Sequence, residues 1–141
     1  MSTRSRIGIQ LSDDSILSSY HHWDGNPEWL GRILNTHYNT KDKVSELIDG
    51  GDMSVCWTKE RWTGKQLAPY VKEIKEQEEY GPQYYSQRGQ DCPPRLDNDL
   101  CEYLLPDNSE EFAYVFRNDQ WVCYDMHSFD NRKLPEVVPI P

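Results

Sequence analysis

The chain has 141 residues, 36% of them hydrophobic, and its 15 basic and 24 acidic side chains give a net charge of −9. That size suits one domain with a real core. Mean hydropathy is low at −0.89, but five Trp, nine Tyr and three Phe supply buried area and argue for a folded, aromatic-rich domain. The acid excess disfavours direct nucleic-acid binding, because it repels a phosphate backbone, and no apolar run approaches a membrane span.

Residues 5–10 alternate as a strand does, and Leu11 to Ser15 supply turn chemistry. Residues 16–22 return as a second strand, making an amino-terminal hairpin. Asp24-Gly25-Asn26-Pro27 breaks it, with Asn26 suited to an N-cap and Pro27 to the first helical position. Leu30, Ile33, Leu34, His37 and Tyr38 then recur at helical spacing. Thr40 is a second N-cap candidate, ahead of a short helix whose buried stripe is Val44, Leu47 and Ile48 and whose stop is Gly50-Gly51.

Met53 to Trp57 suits a short strand, and Leu67, Tyr70, Val71 and Ile74 mark a third helix. A strand is expected at residues 83–87, a Cys-Pro-Pro loop at 90–95 and a short helix within 96–105. Phe112 to Phe116 and Gln120 to Tyr124 flank a polar turn and read as a β-hairpin. The expected architecture is α+β: an antiparallel sheet built from amino- and carboxy-terminal hairpins, with two to four helices on one face. Residues 1–130 form a single domain in this reading, and 131–141 an extended, proline-containing tail.

Charge is unevenly spread. Residues 1–65 are nearly neutral, whereas 97–130 hold nine acids against Arg117 alone. Solubility explains such a surface; the functional alternative is a protein-interaction face carrying Asp97, Asp99, Glu110 and Glu111. Cys56, Cys92, Cys101 and Cys123 show no zinc-knuckle spacing. The arginine-bearing start spells no signal peptide. A cytoplasmic protein without metal or cofactor is the expectation.

Three stretches carry a resemblance. Met1-Ser2-Thr3-Arg4-Ser5 followed by Ile7-Gly8, then Tyr20 with His22-Trp23-Asp24-Gly25 and Pro27, and then Leu34 with His37-Tyr38-Asn39-Thr40 through Gly51-Asp52 resemble a family of small proteins of bacteriophage and some bacterial genomes. The similarity runs through residues 1–55 and, more loosely, 83–126; 56–82 have no counterpart. Asn26 stands where the family has Tyr. The family's Tyr-x-Arg-Asp-Arg-Gly-Glu stretch is reduced to Tyr85-Ser86-Gln87-Arg88-Gly89-Gln90. The resemblance implies a phage origin and, with it, a host cytoplasm, but no particular reaction.

Candidate chemistry concentrates between residues 4 and 27. His22 with Asp24 could be a base and its orienting carboxylate, the centre of a small acid–base or metal-assisted hydrolase. Strand geometry sends His21 and His22 to opposite faces, so they would not chelate one ion, and Asp24-Gly25 is also ordinary turn material. Ser2 would become an amino-terminal nucleophile if Met1 were removed. Arg4, Arg6, Arg32 and Arg88 with Tyr20, Trp23 and Tyr85 could recognise an anionic, ring-bearing molecule, against the plainer reading that these arginines pair with the surplus acids. The ligand-binding set on this reading is Arg4, Arg6, Tyr20, His22, Trp23, Asp24 and Arg88.

No phosphate loop, zinc-protease or nucleophile-elbow motif occurs, so a binding protein is favoured over an enzyme. The leading expectation is a small acidic phage accessory protein that binds a host protein, in host takeover or counter-defence. The alternative is sequestration of a nucleotide-like anion by the arginine and aromatic groups. Target and oligomeric state are not legible.

Overall fold

Five antiparallel and two parallel pairings join eight strands into one sheet in the computed structural model, which describes residues 3–59, 79–105, 110–128 and 135–141. Strand β1 (Ser5–Gln10) turns through Leu11–Ser15, where the Leu11 amide donates to the Ser15 carbonyl at 2.8 Å, into β2 (Ile16–His21). A wide π-helical turn (Pro27–Gly31) runs into α1 (Arg32–His37), and α2 (Lys41–Asp49) follows. Next come β3 (Met53–Thr58), β4 (Tyr80–Tyr84), a 3-10 turn (Tyr85–Arg88), β5 (Arg95–Asp97) and α3 (Leu100–Tyr103). Strands β6 (Phe112–Arg117), β7 (Gln120–Asp125) and β8 (Glu136–Val138) complete the described chain.

The architecture is α+β, as the sequence pattern implies. The strand order is β4-β3-β2-β1-β6-β7-β8, with β5 on the outer edge of β2. The two hairpins meet in parallel: β1 lies beside β6 from Ser5 opposite Phe112 to Ile9 opposite Phe116. The sheet is therefore mixed, because two hairpins that are each antiparallel can join through either sense of their inner strands.

Period-two alternation sorts the strands into two faces. Ile7, Ile9, Tyr114, Phe116, Trp121 and Cys123 face one side, where Trp29, Leu30, Ile33 and Leu34 of the first helical segment and Val44, Leu47 and Ile48 of α2 cover them. Ile16, Ala113, Val115 and Tyr124 face the other side and pack against Tyr103 and Leu104. The helices thus do not share one face: α3 covers the second, because the alternate residues of β6 and β7 are apolar too and need burial.

The caps follow their chemistry. The Thr40 hydroxyl accepts from the Lys43 amide at 3.3 Å, and the Asp99 carboxylate from the Glu102 amide at 2.9 Å. Asn26 occupies the N-cap position, but its side chain bonds Glu28 instead. Asn118 and Asp119 both have positive φ, the two-residue turn that suits the twist of β6 and β7.

The strand expected at 83–87 instead ends at Tyr84, and a 3-10 turn takes Tyr85–Arg88. The short helix expected within 96–105 is α3, with β5 ahead of it from Arg95. In the segment expected as an extended tail, Glu136–Val138 pair with β7, and Ile140 lies against Gly31. The helix expected around Leu67, Tyr70, Val71 and Ile74 lies outside the described residues. Prolines guard the sheet's outer strands, Pro82 within β4, and Pro135 and Pro139 around β8, which blunts edge-to-edge association.

Candidate functional site

The strand-to-helix junction is built around His21. Its side chain is fully buried between β1, β2 and β3. Nε2 accepts the Cys56 backbone amide at 2.9 Å, so this nitrogen carries no proton, and Nδ1 donates to the Ser5 hydroxyl at 3.3 Å. Burial drives its pKa down to about 3, against the pull of Asp24 and with the help of His22. His21 is thus a neutral peg holding β3 to the amino-terminal hairpin, where only His21 and Met53 are in register.

The backbone then turns sharply. Asp24 has a φ of 59°, and the Gly25 amide donates to the Thr3 carbonyl at 2.9 Å. A Cβ on Gly25 would lie 2.7 Å from both the Ser5 Cβ and the Thr3 oxygen, so only glycine permits this approach. The Tyr114 hydroxyl donates to the Gly25 carbonyl at 2.6 Å. The Asp-Gly pair therefore seats the loop on the sheet.

His22 leaves β2 toward the face opposite His21. Its Nδ1 pairs with the Tyr20 hydroxyl at 2.8 Å, and its ring meets Trp23 edge-on at 4.8 Å. Partial burial, then the nearby Arg4 guanidinium, hold its pKa below the ordinary imidazole value. Burial raises the Tyr20 pKa, opposed by Arg4, so both groups are neutral near pH 7. The Arg4 guanidinium thus acts on His22, and the Asp24 carboxylate acts on the neighbouring His21, whose charged form it favours.

Register puts Arg6 opposite Tyr20, and spacing puts Arg4 on the same face, at the exposed end of β1. Beyond Tyr20, the turn that follows β4 brings in Tyr85 and Arg88. The Tyr20 amide falls between the parts of β2 paired with β5 and with β3, and the Asp52 carboxylate accepts it at 2.8 Å. The Asp52 carbonyl accepts the Tyr85 amide at 3.1 Å. The Arg88 guanidinium carbon lies 5.8 Å from the centre of the Tyr85 ring, within cation–π range. Asp52 carried no expected role, although it closes the motif stretch that ends Gly51-Asp52.

Arg4 thus neighbours Tyr20 and His22, Trp23 meets His22, and Tyr85 neighbours Tyr20 and carries Arg88 beside its ring, a chain of exposed cations and half-buried rings. Arg6 does not join them at the surface. It is 5% exposed, with Nε donating to the Ser18 hydroxyl at 3.0 Å and Nη1 4.0 Å from the equally buried Glu110 carboxylate. Arg32 lies on α1, away from this strand face.

The acidic set divides in the same way. Asp97 is buried and bound by Arg95 at 3.0 Å; Glu110 is buried beside Arg6. Neither can present a charge to a partner, because each neutralises a guanidinium under α3, and this corrects their place on an interaction face. Asp99 caps α3, and Glu111 pairs with His127 at 3.6 Å. Among the described residues no group of three His, Cys, Asp or Glu is arranged to hold a metal ion, and no helix is long and apolar enough to cross a membrane. Ser2 lies outside the described residues.

Comparison with known proteins returns no matching family model, no matching curated protein and no matching solved structure.

Proposed function

We propose that this chain is a non-catalytic binding protein that holds an anionic, ring-bearing small molecule of the nucleotide type at the junction surface. One observation carries the reading: Arg4, Tyr20 and His22 share one face at the open end of the amino-terminal hairpin, beside Tyr85 and Arg88. Guanidinium forks suit phosphate oxygens. Tyrosine, histidine and tryptophan faces suit a base. Neutral His22 adds a donor or acceptor without adding charge. The resemblance to phage-borne small proteins supplies the wider setting we favour, a phage accessory protein directed at the host, whose counter-defence role would be sequestration of such a ligand.

A catalytic reading is less supported, since the Tyr20 phenol takes His22 Nδ1 and the Arg4 guanidinium disfavours the imidazolium that a general base must become. Binding to a host protein through the acidic face is weakened by the burial of Asp97 and Glu110.

Thermal shift against a panel of mono-, di- and cyclic nucleotides and pyrophosphate tests the proposal. A ligand at a hundredfold excess over its Kd adds about 2.7 kcal/mol of stability. The expected result is a shift with at least one nucleotide that disappears in Arg4→Ala/Arg88→Ala. A flat response across the panel would remove the reading.

A further inference from the structure

On the side of the sheet covered by α1 and α2 a cavity of about 550 Å³ opens between the end of α1, α2 and β4. It is separate from the arginine-bearing surface, and its volume lies in the range that small-molecule sites occupy. Its walls are planar. The His37 and Tyr80 rings stack with centres 3.9 Å apart and planes 9° from parallel, and Tyr38 meets Tyr80 edge-on at 5.6 Å. The Tyr84 hydroxyl donates to the Leu47 carbonyl at 2.6 Å, which fixes its ring flat over Gly50. A Cβ at residue 50 would enter that ring, so the glycine is what lets this wall close against α2.

Among the described residues the rim is polar and carries one cation and one anion. Lys43 and Glu46 lie one turn apart on the exposed side of α2, both lining the cavity. The Gln87 side-chain oxygen accepts the Tyr84 amide at 3.1 Å, which leaves its NH2 group to donate. One cation beside one anion does not complement a phosphate. It complements an uncharged ligand that offers hydroxyl donors to the carboxylate and acceptors to the ammonium. Aromatic walls with such a rim match a flat heterocycle bearing a polyol.

We propose that this cavity binds a nucleoside, the uncharged planar heterocycle with its sugar, stacking the base against Tyr80 and Tyr84 and meeting the sugar hydroxyls with Glu46 and Lys43. The inference does not depend on the anion reading of the Arg4 surface, because the two regions use different residues and opposite charge logic.

NMR titration of the full chain with adenosine and uridine, and with their 5′-monophosphates, tests it. Saturable shifts are expected at the His37, Tyr80 and Tyr84 rings, with each nucleoside bound more tightly there than its monophosphate. Glu46→Ala, an exposed change on α2, should weaken nucleoside binding at least tenfold without moving Tm. Tyr80→Ala should abolish binding and Tyr80→Phe should retain it. Absence of saturable shifts at these rings up to the nucleoside's solubility would overturn the proposal. So would tighter binding of the monophosphates there, or unchanged affinity in Glu46→Ala. Shifts confined to Tyr20 and His22 would also overturn it, while supporting the separate reading of the arginine surface.

Discussion

Arg4 immediately precedes β1 and Arg6 lies within it, two residues on, yet one is exposed and the other is buried against Glu110 and Ser18. The chain thus passes from the open end of the sheet to ground covered by α3 within two residues. Identical side chains therefore do different work, Arg4 offering charge to solvent and Arg6 holding the second face together.

Stability should separate them. Arg6→Ala removes the buried Nε bond to Ser18 and the 4.0 Å contact with Glu110 and leaves a void in their place, changes that together cost about 1–3 kcal/mol. Arg4→Ala, at an exposed position, should stay within about 0.5 kcal/mol of the parent. Urea unfolding of both variants reads this directly. Equal losses would show that Arg6 is not integral to the second face.

His21 predicts a pH dependence of known sign. Its pKa is about 3 in the folded chain against 6.5 for the free group, so between those values the unfolded chain binds more protons. Stability is complete above pH 6.5 and falls as pH drops below it, by at most about 1.4 kcal/mol per pH unit from this group. His21→Asn should flatten the slope between pH 7 and 5. It should also cost about 1–3 kcal/mol, because the Cys56 amide is left without its acceptor. A parent chain equally stable at pH 7 and pH 5 would contradict the assignment.

Arg4 should also be visible through His22. Removing a cation that disfavours the imidazolium raises the imidazole pKa, so Arg4→Ala should move the His22 NMR titration upward, toward 6.5. An unchanged midpoint would place Arg4 too far away to share a ligand with His22.

Gly25 should tolerate nothing larger. Its Cβ would strike Ser5 and the backbone oxygen of Thr3, and a main-chain oxygen cannot rotate aside. Gly25→Ala should therefore destabilise by about 1–3 kcal/mol, the usual cost of overpacking, and should weaken ligand binding at the junction. Chemical denaturation measures the first effect and calorimetric titration the second.

Local pattern made the hairpins legible. The alternation of residues 5–10, the Asn118-Asp119 turn and the Thr40 cap each depend on neighbours in the chain, and each is where its chemistry says. The His21 and His22 faces follow from the same period of two. What local pattern could not carry was partner choice. Nothing near Glu110 announces Arg6, and nothing in the 97–130 charge count tells that Asp97 turns inward to Arg95. The recruitment of Arg95–Asp97 as β5 and of residues 136–138 as β8 likewise depends on edges offered by β2 and β7. Asp52 was missed because its task, accepting the Tyr20 amide between two strand partners, exists only once β3 and β5 both reach β2.

The most direct test of the central claim, that Arg4, Tyr20, His22 and the Tyr85–Arg88 turn form one anion-binding surface, is calorimetric titration of a nucleotide into the parent chain and into Arg4→Ala/Arg88→Ala, at low and at moderate salt. The account predicts saturable binding by the parent that weakens with salt and is lost in the double variant while its Tm is unchanged. Equal affinity in both proteins, or binding insensitive to salt, would contradict it.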